Sequence, residues 1–220
     1  MKTLVVLSGG LDSSVMLAHI MRENKTVECL FFWYGSKHNE REYQAALKIA
    51  AHYGVSIKKI DLDFISENFE SDLLLKGGSI PKGHYEDESM KKTVVPFRNG
   101  IMLSIAAGYA ESIDAKQIAI GSHFGDHAIY PDCRRAFTAP MEQAIYHGTE
   151  NNIRLLTPFG DLTKKDIVKI GDDINVPMFM TYSCYEGRER HCGECGTCVE
   201  RKEAFILAGV KDQTRYEKKS

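Results

Sequence analysis

The segment from residue 4 to residue 14 constrains the fold of this chain more than any other part of its sequence. Residues 4–7 form a short apolar run, Ser-Gly-Gly follows, and Asp12, Ser13 and Ser14 precede apolar residues at helical spacing up to Met21. A continuous apolar run is typical of a buried parallel strand, and Asp and Ser favour helix starts. Glycines let the backbone approach a ligand, and the free N–H groups of a helix start attract anions. The segment therefore predicts a strand, an anion-binding turn and a helix.

Strands and helices continue to alternate along the chain. Strands are predicted at 27–34, 56–60, 117–120 and 153–156, and helices at 40–53, 100–112, 132–147, 163–170 and 199–208. This alternation predicts an α/β fold: an open, mostly parallel sheet with helices on both faces, over residues 1–175. A small cysteine-rich region with a closing helix is expected at 176–210.

Several helices carry signals that can be compared with a structure. Gly54 is expected to end the second helix. Asp132 is placed to cap the helix toward residue 147, and Thr163 with Asp166 loosely matches a capping box. The predicted buried side of the second helix consists of Ala45, Ala46, Ile49 and Ala50. The residues expected to face inward from helix 100–112 are Ile101, Met102, Ile105, Ala106 and Tyr109.

Two segments depart from this regular pattern. Residues 66–95 contain Gly77, Gly78, Pro81 and a charged run at 86–88, which predicts a long loop or insertion. Loops of that length are usually functional or disordered. Residues 211–220 are polar and predict a mobile tail.

Four of the six cysteines are clustered, at Cys184, Cys192, Cys195 and Cys198. Four thiolates at knuckle spacing predict a closed, structural Zn²⁺ site, with an iron–sulfur cluster as the main alternative. A redox pair is less favoured, because it needs only two cysteines. His191 could replace one thiolate, but we interpret it as a surface histidine.

The two remaining cysteines stand alone in the sequence. Cys29 is expected to be a buried, inert thiol within a strand. Cys133 is undecided between packing and substrate contact.

Charge and hydropathy exclude several function classes. The formal net charge is −2, which argues against a mainly electrostatic nucleic-acid binder. No apolar run approaches the length of a membrane span, and the apolar N-terminal run is too short for a signal peptide. We therefore expect a cytoplasmic protein that binds neither membranes nor nucleic acid directly.

Asp12 is unusual within an anion-binding turn, because a carboxylate repels phosphate. Its presence is explained if it caps the helix, or if it helps to hold a divalent cation that neutralises phosphates. Both interpretations remain open at the level of sequence.

The turn from Ser8 to Ser14 resembles, residue for residue, the Ser-Gly-Gly-x-Asp-Ser-Ser loop of the ATP pyrophosphatase (PP-loop) superfamily. These enzymes cleave ATP between its α and β phosphates and adenylate a carbonyl or carboxyl oxygen. The resemblance implies Mg²⁺ and an ATP site formed by Leu7, Ser8, Gly9, Gly10, Leu11, Asp12, Ser13, Ser14, Val15, Met16 and Leu17.

Further motifs narrow the resemblance to one family. Val-Pro-Phe-Arg-Asn at 95–99, Tyr-Pro-Asp-Cys-Arg at 130–134, Thr-Pro-Phe at 157–159 and Ser-Cys-Tyr at 183–185 occur here in one order with the other three cysteines. Together they look like the 7-cyano-7-deazaguanine synthase family, over nearly the whole chain. The resemblance implies conversion of 7-carboxy-7-deazaguanine and ammonia to the 7-cyano base with ATP, in queuosine biosynthesis. It also implies a homodimer.

The family resemblance suggests catalytic or substrate-binding roles for Arg98, Asn99, Asp126, Tyr130, Asp132 and Arg134. Arg98 could pair with a phosphate or a substrate carboxylate, or could be a solvated arginine at a helix start. Asp126 and Asp132 could accept N–H groups of a guanine-like base, although Asp132 could equally be a helix cap. Tyr130 could stack on the base or pack in the core.

His123 and His127, which flank Asp126, are a local departure from the family pattern. They could carry protons, form a second metal site or line the pocket.

Two competing functions remain open. One is another ATP-dependent ligase or thiolase of the same superfamily, acting on tRNA or on a different carboxylate. The other is a zinc-ribbon module that binds nucleic acid, since Arg188, Arg190, Arg201 and Lys202 make the cysteine-rich region locally basic. A ribbon module leaves the glycine turn and most of the chain unexplained.

Overall fold

The protein, described by a computed structural model at residues 1–23, 26–85 and 87–218, has a five-stranded parallel sheet at its centre. Glu86 of the predicted loop, residues 219–220 of the predicted tail and the side chain of His127 lie outside the described part. The strands are β1 (Lys2–Val6), β2 (Thr26–Trp33), β3 (Ile57–Asp61), β4 (Gln117–Ala119) and β5 (Arg154–Leu156). Their order in the sheet is β3-β2-β1-β4-β5.

Helices cover both faces of this sheet. They are α1 (Leu11–Met21), α2 (Asn39–Tyr53), α3 (Asp63–Asn68), α4 (Arg98–Ser112), α5 (Arg135–Gly148), α6 (Lys164–Asp173) and α7 (Gly196–Ala208). Successive strand residues point to opposite faces, so Leu4 joins the core under α4 and α5, whereas Val5 joins the core under α1, α2, α6 and α7. The predicted α/β class, with helices on both faces of a parallel sheet, is therefore confirmed.

Local signals at helix ends predicted some boundaries correctly. Gly54 ends α2 with φ of 64°, the left-handed conformation that glycine adopts without steric cost. Thr163 and Asp166 form the predicted capping box at the start of α6. The buried side of α2 also matches the prediction.

The buried side of α4 was only partly predicted. Ala106 is buried as expected, but Leu103, Ala107 and Ala110 are buried as well, and Ile101 is only half-buried, as are Met102, Ile105 and Tyr109. Apolar residues surround much of this helix, so hydrophobic spacing alone does not define one face.

Asp132 caps a different helix from the one predicted. The helix α5 begins at Arg135, with Arg134 at its N-cap. Asp132 Oδ2 instead accepts the backbone N–H of Asn99 at 2.8 Å, in the first turn of α4. This satisfies one of the N–H groups that a helix start leaves free.

The segment 66–95 is a long connection, but it packs against the rest of the protein. It contains the end of α3, a 3₁₀ helix at Glu88–Thr93, and buried Leu73 and Leu74. Lys82 forms an isolated β-bridge with Cys195, which fastens the segment to the cysteine-rich region.

The polar tail, which was predicted to be mobile, packs against the cysteine-rich region over residues 211–218. Tyr216 forms a β-bridge with His191, and its hydroxyl donates to Asp212 Oδ2 at 2.6 Å. Arg188 forms an ion pair with Glu217 at 2.8 Å. Polar composition alone did not reveal these pairings.

Arg201 is a fully buried charge that connects α7 to its surroundings. Its Nη1 donates to the hydroxyls of Thr181 and Ser183, and its Nη2 donates to the carbonyl of Met178 at 3.0 Å. Its Nε lies 3.6 Å from Asp212 Oδ1. Burial raises the pKa of Asp212, but Arg201 and hydrogen bonds from Tyr216 and Thr214 hold it below the ordinary value.

No helix in the described part of the chain combines the length and the apolar character needed to cross a bilayer.

We predict that Arg201→Met lowers the free energy of unfolding by about 3–5 kcal/mol, because it removes the hydrogen bonds to Thr181, Ser183 and Met178 and the ion pair with Asp212 from the buried side of α7. The matched control is Arg190→Met, at an exposed arginine. The control should change stability by less than about 0.5 kcal/mol. Urea titration followed by circular dichroism measures both, and equal effects would contradict the assigned role of Arg201.

Candidate functional site

A cavity of about 240 Å³ opens where the strand order reverses, at the carboxyl ends of β1 and β4. Leu7 and Ser8 follow β1 and line it from one side, and Gly121 and Ser122 follow β4 and line it from the other. The connections from these two strands lead in opposite directions along the sheet, which leaves a crevice between them. Open α/β sheets bind ligands at such positions.

The glycine turn forms the floor of this cavity and leads into α1. Gly9 has φ of +82°, and a side chain there would lie 2.6 Å from the backbone nitrogen of Ala46 and closer still to the carbonyl of Glu42. Ser14 Oγ donates to the carbonyl of Gly10 at 2.7 Å, and the hydroxyls of Ser8 and Ser13 lie 3.0 Å apart. The absence of a side chain at residue 9 thus lets the turn pack against α2, and serine hydrogen bonds fix the first turn of α1 beside the cavity.

The residues predicted to bind ATP occupy three positions relative to the cavity. Those that line it are Leu7, Ser8, Gly10, Leu11, Asp12 and Ser13. Gly9 and Ser14 shape the turn behind them. Val15, Met16 and Leu17 pack in the hydrophobic core.

Asp12 does not cap α1, because the N-cap is Gly10 and no side chain accepts there. Its Oδ2 instead pairs with Lys164 Nζ at 2.8 Å. Burial raises the pKa of Asp12, but Lys164 and His123 lower it below the ordinary value overall. Its Oδ1 is buried and has no hydrogen-bond partner within the described residues. An unpaired carboxylate oxygen at the floor of the cavity fits a hard cation such as Mg²⁺.

Lys164 lies at the centre of a charged cluster, which sequence reasoning missed. Its Nζ lies 3.2 Å from Glu200 Oε2 and 3.2 Å from His123 Nε2, in addition to its contact with Asp12. Burial lowers the pKa of Lys164, but Asp12 and Glu200 raise it well above the ordinary value overall. The only sequence signal near Lys164 was the capping box of Thr163 and Asp166, which predicts a helix start but not a charged cluster.

His123 is fully buried beside this cluster. Its Nδ1 accepts the backbone N–H of Gly125 at 3.0 Å, so a neutral ring carries its proton on Nε2. That nitrogen lies 3.6–3.9 Å from carboxylate oxygens of Asp12, Asp126 and Glu200. His123 therefore links the glycine turn to the loop after β4.

Aromatic side chains form the opposite wall of the cavity. Arg98 Nη1 donates to the hydroxyl of Tyr34 at 3.0 Å, and its guanidinium lies 5.3 Å from the centre of that ring. The hydroxyls of Tyr130 and Tyr185 lie 3.0 Å apart, and Tyr85 donates to Asp126 Oδ1 at 3.0 Å. A charged donor surrounded by ring faces suits a planar, anionic ligand.

The predicted substrate residues divide into two groups. Arg98, Asn99, Asp126 and Tyr130 line the cavity, and Arg98 is half-buried there at the start of α4. Asp132 is buried but does not line the cavity, and it acts on Asn99 through the helix-capping contact. Arg134 is exposed and also lies outside the lining.

The two isolated cysteines differ in their surroundings. Cys29 is fully buried, as predicted, and burial raises its pKa to about 12. Cys133 lines the cavity, where the side-chain amide of Asn99 donates to its sulfur at 3.1 Å. Burial raises the pKa of Cys133 as well.

The four clustered cysteines converge as their spacing predicted. The sulfurs of Cys184, Cys192, Cys195 and Cys198 all lie within 4.8 Å of one another and could hold a metal ion. The backbone N–H of Cys195 approaches Cys192 Sγ at 3.3 Å, as expected for a thiolate knuckle. His191 is buried rather than at the surface, and its Nε2 accepts the N–H of Ser183 at 3.0 Å, so it is not needed as a ligand.

The parallel sheet, its crossover and the glycine turn together define an adenine nucleotide α-hydrolase-like fold. The NMN synthetase of Francisella tularensis has a similar structure, with a TM-score of 0.52 over 96% of this chain and 78% of that chain, at 13% sequence identity.

Sequence comparison is more specific than this structural likeness. The family profile described as "Queuosine biosynthesis protein QueC" matches residues 2–209. The 7-cyano-7-deazaguanine synthase of Porphyromonas gingivalis is 53% identical over 98% of this chain and 97% of its own length. That of Desulfotalea psychrophila is 47% identical over 97% of this chain and 98% of its own length. The chain belongs to the QueC family, and it is an enzyme of that family.

We predict that Gly9→Ala destabilises the protein by about 2 kcal/mol more than Gly54→Ala, because overpacking against backbone adds to the cost of positive φ. Gly54 is a matched control, since it also has positive φ but nothing within 4 Å of an added Cβ. Urea denaturation of the two variants compares the costs directly. Equal costs would show that α2 does not press against the turn.

We predict that the purified protein carries one tightly bound metal ion per chain and that Cys195→Ser loses it, because closed sites need all four ligands. Cys29→Ala is the control and should retain the metal, since Cys29 lies in the sheet outside the cluster. Elemental analysis by mass spectrometry measures the stoichiometry. Retention of the metal by Cys195→Ser would refute the cluster as the binding site.

Proposed function

We propose that this protein is a 7-cyano-7-deazaguanine synthase, which converts 7-carboxy-7-deazaguanine and ammonia to the nitrile with ATP. The observation that carries the proposal is the cavity at the end of β1, where the PP-loop turn faces a wall of Arg98 and tyrosines in a chain of the QueC family. The names of the related enzymes support the product and the queuosine pathway.

The reaction has a simple chemical requirement. A carboxylate is a poor electrophile, so its oxygen must first be converted to a leaving group. Adenylation by ATP achieves this, and ammonia then displaces AMP to form the amide. A second adenylation, at the amide oxygen, followed by loss of AMP leaves the nitrile. Neither the carboxylate nor the nitrile carbon changes oxidation state, so the overall conversion needs no redox cofactor.

The residues around the cavity divide these tasks in the proposal. The first turn of α1, with Ser8 and Ser13, binds the ATP phosphates through hydroxyl and N–H donors. Asp12 Oδ1 would hold Mg²⁺, which when bound neutralises phosphate charge. Lys164 supplies a second positive charge on the same side. These contacts would orient ATP rather than react with it.

Substrate recognition is assigned to the opposite wall. Arg98 pairs with the substrate carboxylate, since a guanidinium offers two parallel donors. Asp126 accepts N–H groups of the guanine-like ring, and Tyr130 contacts its face. Asn99 is held near the substrate by the buried Asp132. Arg134 is exposed outside the cavity lining, so the proposal gives it no direct contact with the substrate.

We assign Zn²⁺ to the cysteine cluster, in a structural role. Four thiolates form a closed shell without a free position for substrate, and the cluster holds the start of α7. Free ammonia is the proposed nitrogen source. A cytoplasmic homodimer completes the proposal.

The function is tested by incubating the protein with 7-carboxy-7-deazaguanine, ATP, Mg²⁺ and ammonium, with products followed by mass spectrometry. We expect the nitrile, dependent on both ATP and ammonium. Asp12→Asn should reduce its formation by about 100-fold or more, because one preorganised charge at a reacting phosphate is worth that much. The control Asp173→Asn, at an exposed position on α6, should retain activity.

Other outcomes separate the competing functions. Consumption of ATP without nitrile would refute this substrate and favour another amidating ligase or tRNA-modifying enzyme of the superfamily. A folded protein that neither binds nor consumes ATP would refute the assignment of the glycine turn.

A further inference from the structure

Two cavity residues outside the predicted site, His38 and Glu42, form a pair at the start of α2. Both line the cavity, and His38 Nε2 lies 3.4 Å from Glu42 Oε2. The His38 ring is 3% exposed and packs against the ring of Tyr185 at 5.3 Å. Its Nδ1 has no hydrogen-bond partner within the described residues. The backbone of Tyr185 also interacts with the His38 ring, so the ring is held in the cavity wall beside Glu42.

The fold fixes Glu42 beside the glycine turn. Its carbonyl oxygen is the atom nearest to the missing side chain of Gly9, so the first turn of α2 presses against the turn that faces the phosphates. Arg98 and Tyr34 are the charged and titratable groups that approach Glu42 from the other side. Glu42 therefore lines the cavity close to both the glycine turn and Arg98, the proposed phosphate and carboxylate sites.

The surroundings of Glu42 favour exchange of a proton near neutral pH. Burial raises its pKa to about 8, although Arg98 opposes the shift. Burial and Arg98 lower the pKa of His38 to about 3, so this ring is neutral at working pH. A general base is most effective when its pKa lies close to the operating pH.

The other acidic and basic groups of the cavity are less suited to accept protons. The Asp12 carboxylate is paired with Lys164, and its pKa is lowered although burial opposes this. Asp126 already accepts the Tyr85 hydroxyl and the backbone N–H of His123. Lys164 stays protonated because Asp12 and Glu200 raise its pKa against the effect of burial.

The proposed reaction needs a base after each adenylation. When the ammonia nitrogen attacks the acyl carbon, the bond to AMP breaks and the new nitrogen must lose one proton. When the adenylated amide collapses to the nitrile, the carbon–oxygen bond to AMP breaks while two N–H protons leave. Adenylation itself needs no base, because the carboxylate or amide oxygen attacks the α-phosphorus directly and pyrophosphate leaves.

We propose that Glu42, oriented by His38, is the catalytic base that accepts the N–H protons during amidation and nitrile formation. This assignment rests on the proposed function of the cavity. Glu42 passes each proton to solvent between steps, and AMP leaves with the electrons of the broken carbon–oxygen bond.

The test separates adenylation from the nitrogen chemistry in one variant. Glu42→Gln keeps the size of the side chain and removes the base. We expect exchange of labelled pyrophosphate into ATP, dependent on 7-carboxy-7-deazaguanine, to persist because adenylation needs no base. Its rate should remain within about threefold of the wild-type rate, which corresponds to a small change in the barrier. Formation of nitrile from the acid, and from the corresponding amide, should fall by about 100-fold or more, the usual contribution of a positioned base.

The matched control is Glu40→Gln on the same turn of α2. Glu40 is exposed, and its carboxylate accepts a hydrogen bond from the side-chain amide of Gln44 at 3.1 Å. It should retain both exchange and nitrile formation. Retained exchange in Glu42→Gln also shows that this variant is folded and binds both substrates.

The possible results are distinguishable. Unchanged nitrile formation in Glu42→Gln, or equal loss of exchange and nitrile formation, would overturn the role of Glu42. A wild-type enzyme without exchange or nitrile would instead refute the proposed function, and the role of Glu42 with it.

The pH dependence supplies a second readout, measured at constant free ammonia. The nitrile-forming rate of the wild type should rise with pH toward a plateau above about pH 8, as Glu42 loses its proton beside His38, Arg98 and Tyr34. Glu42→Gln should lack this rise. The same rise in both proteins would show that another group titrates.

Discussion

The ion pairs of Lys164 hold together parts of the chain that lie far apart in sequence. Asp12 comes from the first helix, Lys164 from α6 and Glu200 from α7, and their charged atoms meet within 3.2 Å. Two largely buried carboxylates would repel each other without the ammonium between them. The helix α7 starts within the cysteine cluster. The ion pair between Glu200 and Lys164 therefore connects this cluster to the glycine turn that faces the cavity. The cavity thus depends on the C-terminal region for one of its walls.

Close backbone packing supports the same site from the other direction. The turn at Gly9 lies against the first turn of α2, which brings His38 and Glu42 to the cavity. Arg201 in turn fixes α7 by donating to Thr181, Ser183 and Met178, just before the first cysteine of the cluster. Different contacts therefore stabilise the charged floor and the aromatic wall of the cavity. Each of these contacts joins segments that lie far apart in the sequence.

Sequence reasoning succeeded where the signal was local. The strands, the turn, the left-handed Gly54, the capping box at Thr163 and the convergence of four cysteines all follow from short-range spacing and backbone chemistry. It failed where the partner was remote. Asp132 was assigned to the nearest helix, although it caps α4, and His191 was placed at the surface, although it is buried against Tyr216.

The sequence by itself determined the α/β class, the nucleotide-type turn, the cysteine cluster and the family, because these depend on residue order over short stretches. Only the tertiary structure decided which side chains share the cavity. The packing of the helices leaves Arg134 outside the cavity lining and places Lys164 between Asp12 and Glu200. It also brings His38 and Glu42 into the lining of the same cavity. These are neighbours across parallel strands and between helices, so their distances depend on how the elements pack and not on how far apart they lie along the chain.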